Sequence, residues 1–192
     1  ASGFAHIMRP AMASSLTQRA TPAELADRQQ VIETKENIDS FPQLAAIIEA
    51  DLATTSGPRA KWRQFPVRIG LRFGWADTRR DFVILTGEIE TRIAALCQRC
   101  LQPFEYPVRE EFKLLLARPD DPIGMAPGVE VWELDEEWLR PIDIVEEALI
   151  MALPLVARHE NEGSCQPQPA TAAPKDNDKV KPFADLWSQT QD

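Results

Sequence analysis

Large apolar residues occupy every second position from residue 65 to residue 75, and prolines, arginines and glycines fill the positions between them. Alternation with a period of two predicts a β-strand with one buried face and one exposed face. The arginines make the exposed face basic. Pro66 has no N–H to give to a neighbouring strand, which favours an edge position for this strand.

Two more alternating segments follow closely along the chain. Apolar residues at positions 83, 85, 89 and 93 predict a second strand, and those between positions 104 and 114 predict a third. A turn is expected over 77–81, and residues 130–134 are able to add a short strand. Consecutive strands with short links favour an antiparallel arrangement. We therefore predict an α+β fold built on an antiparallel β-meander of three to five strands, as a sheet or a partly open barrel, with flanking helices.

Helix signals occur on both sides of these strands. Thr21 followed by Pro22 is typical of a helix start and predicts a short helix over 21–27. Apolar spacing predicts a second helix over 42–52, with Ser40 as its N-cap. A third helix is expected to start at Asp143, with Glu146 completing a capping box.

Composition divides the chain into three segments. Residues 1–22 are expected to be a flexible leader, part of which does not belong to the natural sequence, and residues 23–159 a single α+β domain. Residues 160–192 are rich in Pro, Gln, Ala, Asp and Lys, which predicts a disordered C-terminal tail. A short apolar motif at 182–187 within this tail offers Phe183, Leu186 and Trp187 as candidate partner-binding residues.

The charge of the chain is unevenly distributed. The 192 residues carry a formal net charge of −9, which argues against a protein that coats nucleic acid indiscriminately. Residues 59–80, however, hold seven basic side chains and one acid. Guanidinium groups suit phosphate, so the candidate RNA-binding residues are Arg68, Arg72, Arg79 and Arg80. The alternative is an ordinary charged outer face of a half-buried sheet.

The opposite charge dominates residues 130–147, with eight acids and one arginine. This segment is a candidate site for a basic partner such as a ribosomal protein, through Glu133, Asp135, Glu136 and Glu137. Alternatively, these acids belong to a solvated loop and the first turn of a helix.

Four tryptophans are expected to pack in the core or on the sheet: Trp62, Trp75, Trp132 and Trp138. The longest apolar run has ten residues and contains a proline, whereas a membrane span needs about 20.

Cys97-Gln-Arg-Cys100 is the most informative short motif. Two thiols at this spacing are able to bind one zinc ion, and His159 and Cys165 would complete a Cys3His set. The alternatives are a thiol oxidoreductase and a plain reduced cysteine pair at a hairpin tip. Three cysteines are too few for a disulfide framework and favour a reducing, cytoplasmic setting. The chain lacks the common catalytic motifs and shows no small-molecule site, so we expect no enzymatic activity.

Several of these features follow one another in a recognisable order. They are Cys97-Gln-Arg-Cys100 with Pro103-Phe104, an acidic stretch, Ile142-Asp143, Leu153-Pro154, His159, Cys165, and Lys181-Pro182-Phe183-Ala184 before Leu186. In this order, from about residue 41 to 186, the chain resembles the large ribosomal RNA subunit accumulation protein family (the YceD family). Lys181 stands where that family's closing motif has Asn.

The resemblance implies a bacterial, non-enzymatic, cytoplasmic factor that supports the synthesis, processing or stability of large-subunit (23S) ribosomal RNA. The partners it implies are this rRNA or its precursors, basic ribosomal proteins, or other assembly factors. The three cysteines and His159 fall on recurring Cys/His positions of the family. A zinc-stabilised adaptor that contacts only proteins is the alternative binding function.

Overall fold

The computed structural model of the chain describes residues 15–53, 61–119, 121, 129–159 and 165. Within these residues there are three α-helices, five strands and two short 3-10 turns. The helices are α1 (Pro22–Asp27), α2 (Pro42–Leu52) and α3 (Pro141–Met151), the strands are β1 (Val31–Asn37), β2 (Pro66–Trp75), β3 (Val83–Leu96), β4 (Pro103–Ala117) and β5 (Glu130–Glu133), and the 3-10 turns are Ile38–Ser40 and Trp62–Gln64.

The strands form one sheet in the order β1-β2-β3-β4-β5. Strands β1 to β4 pair antiparallel with their neighbours, whereas β5 runs parallel to β4. The predicted meander of β2, β3 and β4 is confirmed. Because β1 and β5 lie at opposite edges, the sheet does not close into a barrel.

The predicted edge position of β2 is wrong. Strand β1 pairs along β2, from Val31 opposite Arg72 to Asn37 opposite Pro66. Most positions of β1 are polar, so its sequence has no apolar alternation that would predict a strand. Pro66 is tolerated because it is the first residue of β2, where a missing N–H is least costly.

One face of the sheet is buried under the helices. Val67, Ile69, Leu71 and Phe73 of β2 all have at most 4% of their surface exposed, as the alternation predicts. The same core cluster contains side chains from all three helices, such as Leu25, Leu44 and Leu149. The opposite face of the sheet, from which the arginines of β2 project, remains exposed and is called the outer face below.

The start of α1 agrees with the prediction. The Thr21 hydroxyl accepts a hydrogen bond from the N–H of Glu24 (3.2 Å), and the Glu24 carboxylate accepts one from the N–H of Thr21 (3.1 Å). This reciprocal pair is a complete capping box.

The starts of α2 and α3 differ from the prediction. Helix α2 has the expected bounds, but its N-cap is Phe41 rather than Ser40 and makes no side-chain capping bond. Helix α3 starts at Pro141 rather than Asp143. Glu146, on α3, accepts hydrogen bonds from the N–H groups of Gln43 (2.6 Å) and Leu44 (3.2 Å), so it caps α2 instead of its own helix. A carboxylate is favoured there because a helix N-terminus carries partial positive charge.

Part of the segment expected to be a leader lies against the domain. Leu16 is fully buried in the core, and Ala20 forms an antiparallel bridge with Leu139. Residues 1–14 and 166–192, including Phe183, Leu186 and Trp187, lie outside the described residues. None of the helices in the described part has the length and apolar character needed to cross a bilayer.

Candidate metal centre and charged surfaces

Cys97 and Cys100 lie in a tight turn between β3 and β4. The N–H of Leu101 donates to the carbonyl of Cys97 (2.8 Å), and the N–H of Cys97 donates to the carbonyl of Gln102 (3.0 Å). Leu101 adopts a left-handed conformation with φ of 58°, which lets the chain turn back sharply. Both cysteines are almost completely buried, with 0% and 1% of their surface exposed.

The segment after α3 brings His159 and Cys165 to this turn. The N–H of Gln98 donates to the carbonyl of Ala157 (3.0 Å), which anchors the segment beside the turn. The imidazole of His159 also packs on the ring of Phe104, with 4.4 Å between ring centroids. Cys165 is buried as well, at 6% exposure.

Two separations among the four side chains match those of a tetrahedral metal site. Their ligand atoms all lie within 4.8 Å of one another. The sulfurs of Cys97 and Cys165 are 3.7 Å apart, and the sulfur of Cys100 is 3.6 Å from Nδ1 of His159. Zinc bonds of about 2.3 Å to sulfur and 2.0 Å to nitrogen at tetrahedral angles require about 3.8 Å between sulfurs and about 3.5 Å from sulfur to nitrogen. These residues are therefore able to hold a metal ion.

The surroundings of Cys97 and Cys165 shift the pKa values of their thiols in opposite directions. Burial raises the pKa of Cys97, but hydrogen bonds from the backbone N–H groups of Cys100, Arg99 and His159 outweigh it and lower that pKa to about 5. Burial, together with the nearby sulfurs of Cys100 and Cys97, raises the pKa of Cys165 to about 11. Because metals bind the thiolate, Cys97 is already in its ligand form at neutral pH, and Cys165 needs a nearby cation to lose its proton.

The four arginines predicted to bind RNA lie in two places. Arg68 and Arg72 project from the outer face of β2, and Arg79 and Arg80 lie in the turn before β3. Arg68 lies 3.5 Å from Glu90, and Arg80 lies 3.1 Å from Asp27. Two of the four cations are therefore already paired with carboxylates.

Acids on β3 and β4 give the outer face a mixed charge. Arg109 on β4 lies 2.9 Å from Glu88, 3.1 Å from Glu111 and 3.6 Å from Glu90. Their attraction, led by that of Glu88, raises the pKa of Arg109. The sequence reveals the arginines of β2 but not these partners, because the strand register decides which charges meet.

Three of the four acids predicted to bind a partner line one groove of about 860 Å³. We call it the acidic groove; its acids are Glu133, Asp135, Glu136, Asp143 and Glu147. Two of these carboxylates are in ion pairs, Glu136 with Arg19 (3.8 Å) and Asp143 with Arg140 (2.6 Å). Glu137 is not part of the groove lining and lies 4.0 Å from Arg118.

Trp138 is an additional surface residue of this groove. The expectation that it packs in the core or on the sheet is wrong, since it is 47% exposed and lines the acidic groove. Trp62, by contrast, is buried at 5% exposure as expected. Trp138 follows two acids in a segment without periodicity, so no pattern in the sequence distinguishes it from a packed tryptophan.

Comparison with known proteins assigns the chain to a family. No solved structure matches it. The family model described as large ribosomal RNA subunit accumulation protein YceD matches residues 85–188, just over half of the chain. The matched region contains the four candidate metal ligands and most of the acidic groove. The chain therefore belongs to the large ribosomal RNA subunit accumulation protein YceD family.

Proposed function

We propose that this protein is a non-enzymatic factor of bacterial ribosome biogenesis that supports the accumulation of 23S rRNA in the cytoplasm. It does so by binding rRNA, basic ribosomal proteins, or both. The observation that carries this proposal is the family match over residues 85–188, which covers most of β3, all of β4, β5 and α3, and the four candidate metal ligands.

The structural role we assign to the cluster is that of a zinc-held clasp. Cys97 and Cys100 would hold the ion from the β3–β4 turn, and His159 and Cys165 from the segment after α3. The support is the match between the observed 3.7 Å and 3.6 Å separations and tetrahedral geometry. Protein purified without chelators should contain one zinc per chain by elemental analysis, and Cys165→Ser should contain much less. Fully folded, metal-free protein would contradict this role.

The acidic groove is the surface we assign to a basic protein partner. Among the described residues, Glu133, Asp135 and Glu147 make no ion pair, so their charge is available to an incoming lysine or arginine. The exposed indole of Trp138 adds a face on which a cation can rest. Electrostatic complementarity of this kind mainly favours fast and selective association.

The experiment that tests the function is deletion and complementation in the native host. We expect the deletion to lower the ratio of 23S to 16S rRNA, and a plasmid copy to restore it. The protein should also co-sediment with large-subunit precursors at moderate salt. An unchanged 23S to 16S ratio, with the protein found only in the free fraction after crosslinking, would contradict the proposal.

A zinc-stabilised adaptor that contacts only proteins is the second candidate, favoured by the ion pairs that engage Arg68, Arg92 and Arg109 on the outer face. This adaptor should capture basic proteins but give no RNA crosslinks in cells. The thiol-oxidoreductase alternative is disfavoured by burial. Such an enzyme needs an accessible nucleophilic thiol, whereas Cys97 and Cys100 have at most 1% of their surface exposed.

A further inference from the structure

Three side chains form a row across the outer face of the sheet. Arg72 on β2 lies opposite Thr86 on β3, and Thr86 lies opposite Lys113 on β4. Adjacent strands are about 4.8 Å apart, so the two cations flank the threonine hydroxyl and start about 10 Å from each other. Together with Gly70, the three side chains line a shallow depression of about 540 Å³.

The two cations of this row differ from the others around them. Arg68, Arg92 and Arg109 are each within 3.5 Å of a carboxylate. Within the part of the chain that the structure describes, Arg72 and Lys113 have neither an ion pair nor a side-chain hydrogen bond. Neither cation is therefore held in a direct ion pair, although Glu33, Glu88 and Glu111 line the same depression.

On the outer face, the positions two residues before and after Arg72 are glycines that no close contact requires. A Cβ at Gly74 would have no atom within 4 Å, and one at Gly70 would make only an ordinary contact of 3.9 Å. Neither glycine has a left-handed φ. Glycine weakens a strand interior and often marks a place where a ligand approaches the backbone closely. The free space beside Arg72 is thus consistent with an external group lying on the sheet.

We propose that the row Arg72–Thr86–Lys113 binds backbone phosphate of an RNA strand; this rests on the proposed function and specifies its RNA contact. Two cations and a hydroxyl donor suit the oxygens of a phosphate. Arg68, Arg80 and their carboxylate partners are not part of this site.

The charges around the row determine the path that the RNA strand takes over the outer face. On one side of the row, the acids Glu33, Glu88 and Glu111 repel phosphate. On the other side, Gly74, Ile84 and Leu115 lie opposite one another and carry no charge. Beyond them is the turn with Arg79, whose side chain has no partner among the described residues. The RNA therefore leaves the row over Gly74 towards Arg79.

Binding of a fluorescent single-stranded 20-nucleotide RNA to the full-length protein tests this site, by polarisation at several salt concentrations. We expect Arg72→Gln and Lys113→Gln each to weaken binding about 5- to 30-fold, and to reduce the salt slope by about 0.7 per cation removed. Arg92→Gln is the matched control, because Arg92 is exposed on the same face and paired with Glu105 at 2.7 Å. It should change affinity less than twofold.

The variant Gly74→Val tests RNA binding without disturbing the fold. Valine favours strands and meets open space at position 74, so thermal stability should be retained, whereas RNA affinity should fall because the path over the sheet is blocked. Equal losses for Arg72→Gln and Arg92→Gln, or wild-type affinity for Gly74→Val, would overturn the site. So would a salt slope that stays unchanged in both Arg72→Gln and Lys113→Gln. The 23S to 16S ratio in complemented cells is measured independently of RNA binding in solution. The proposed RNA site can therefore fail while the proposed function stands.

Discussion

Glu146 is a buried carboxylate that joins two helices distant in sequence. It is only 8% exposed and accepts hydrogen bonds from two N–H groups at the start of α2. Helices α2 and α3 each begin with a proline, which has no N–H, so fewer N–H groups at their N-termini need a partner. The remaining ones in α2 depend on this side chain, because no residue of the α2 N-terminus caps it.

Replacing Glu146 tests this dependence. We expect Glu146→Ala to lower the free energy of unfolding by about 2–3 kcal/mol, because two helix N-terminal donors, one of them buried, lose a charged acceptor. Urea denaturation followed by tryptophan fluorescence would measure the change. Glu147→Ala is the matched control in the same helical turn; it is exposed and should change stability by no more than about 0.5 kcal/mol. Similar losses for both variants would contradict the capping role.

At the scale of elements, Gly87 and Phe112 form a cross-strand pair of a different kind. They lie opposite each other on β3 and β4, and the Phe112 ring occupies the space that a Cβ at position 87 would need. Gly87 is therefore required by packing, unlike Gly70 and Gly74. A glycine covered by an aromatic ring on the next strand is a known way of stabilising a sheet.

Gly87→Ala should destabilise the protein by about 1–3 kcal/mol, because the Phe112 ring must move away from its place on the strand. The double variant Gly87→Ala with Phe112→Leu should cost less than the sum of the two single changes, since the smaller side chain removes the overlap. Thermal denaturation of all three variants measures this coupling. Simple additivity would show that the ring has no fixed place over Gly87.

The elements differ in how far the sequence predicts them. Strand β2 follows from local alternation alone, and α1 and α2 have the bounds expected from their proline and apolar spacing. Local patterns do not predict β1, because its stability comes from pairing with β2 rather than from an apolar pattern. Local capping rules assign Glu146 to its own helix, because they do not include a partner 103 positions away. The proximity of the four candidate metal ligands could be predicted from residue chemistry, but the pairing of Arg68 and Arg109 with acids depends on strand register.

At the scale of the whole molecule, the described residues contain two separate clusters of buried hydrophobic side chains. The main core lies between the sheet and the helices, and the three cysteines form a second cluster that packs against Phe104. The proposed clasp would therefore hold the β3–β4 turn to the segment after α3 without being part of the main core. Its loss should loosen one end of the molecule and leave the sheet folded.

Removal of metal should show this partial dependence. We expect a chelator to lower the melting temperature by about 5–10 °C, the size expected for a tightly bound ligand in a chain of this length. Far-ultraviolet circular dichroism at 25 °C should change little. Cys165→Ser should already have the lower melting temperature and respond no further to chelator. Complete unfolding by chelator would instead place the metal at the centre of the fold.

The order of the sheet leaves β1 and β5 as its two edges, and each has a feature that opposes strand addition by another chain. Glu33 and Lys35 place exposed charges along β1, and β5 has only four residues. Charged and short edge strands are common protections against aggregation. The protein should therefore remain monodisperse by light scattering at high concentration. Glu33→Val with Lys35→Val should cause it to associate through β1, whatever partner the acidic groove or the outer face binds.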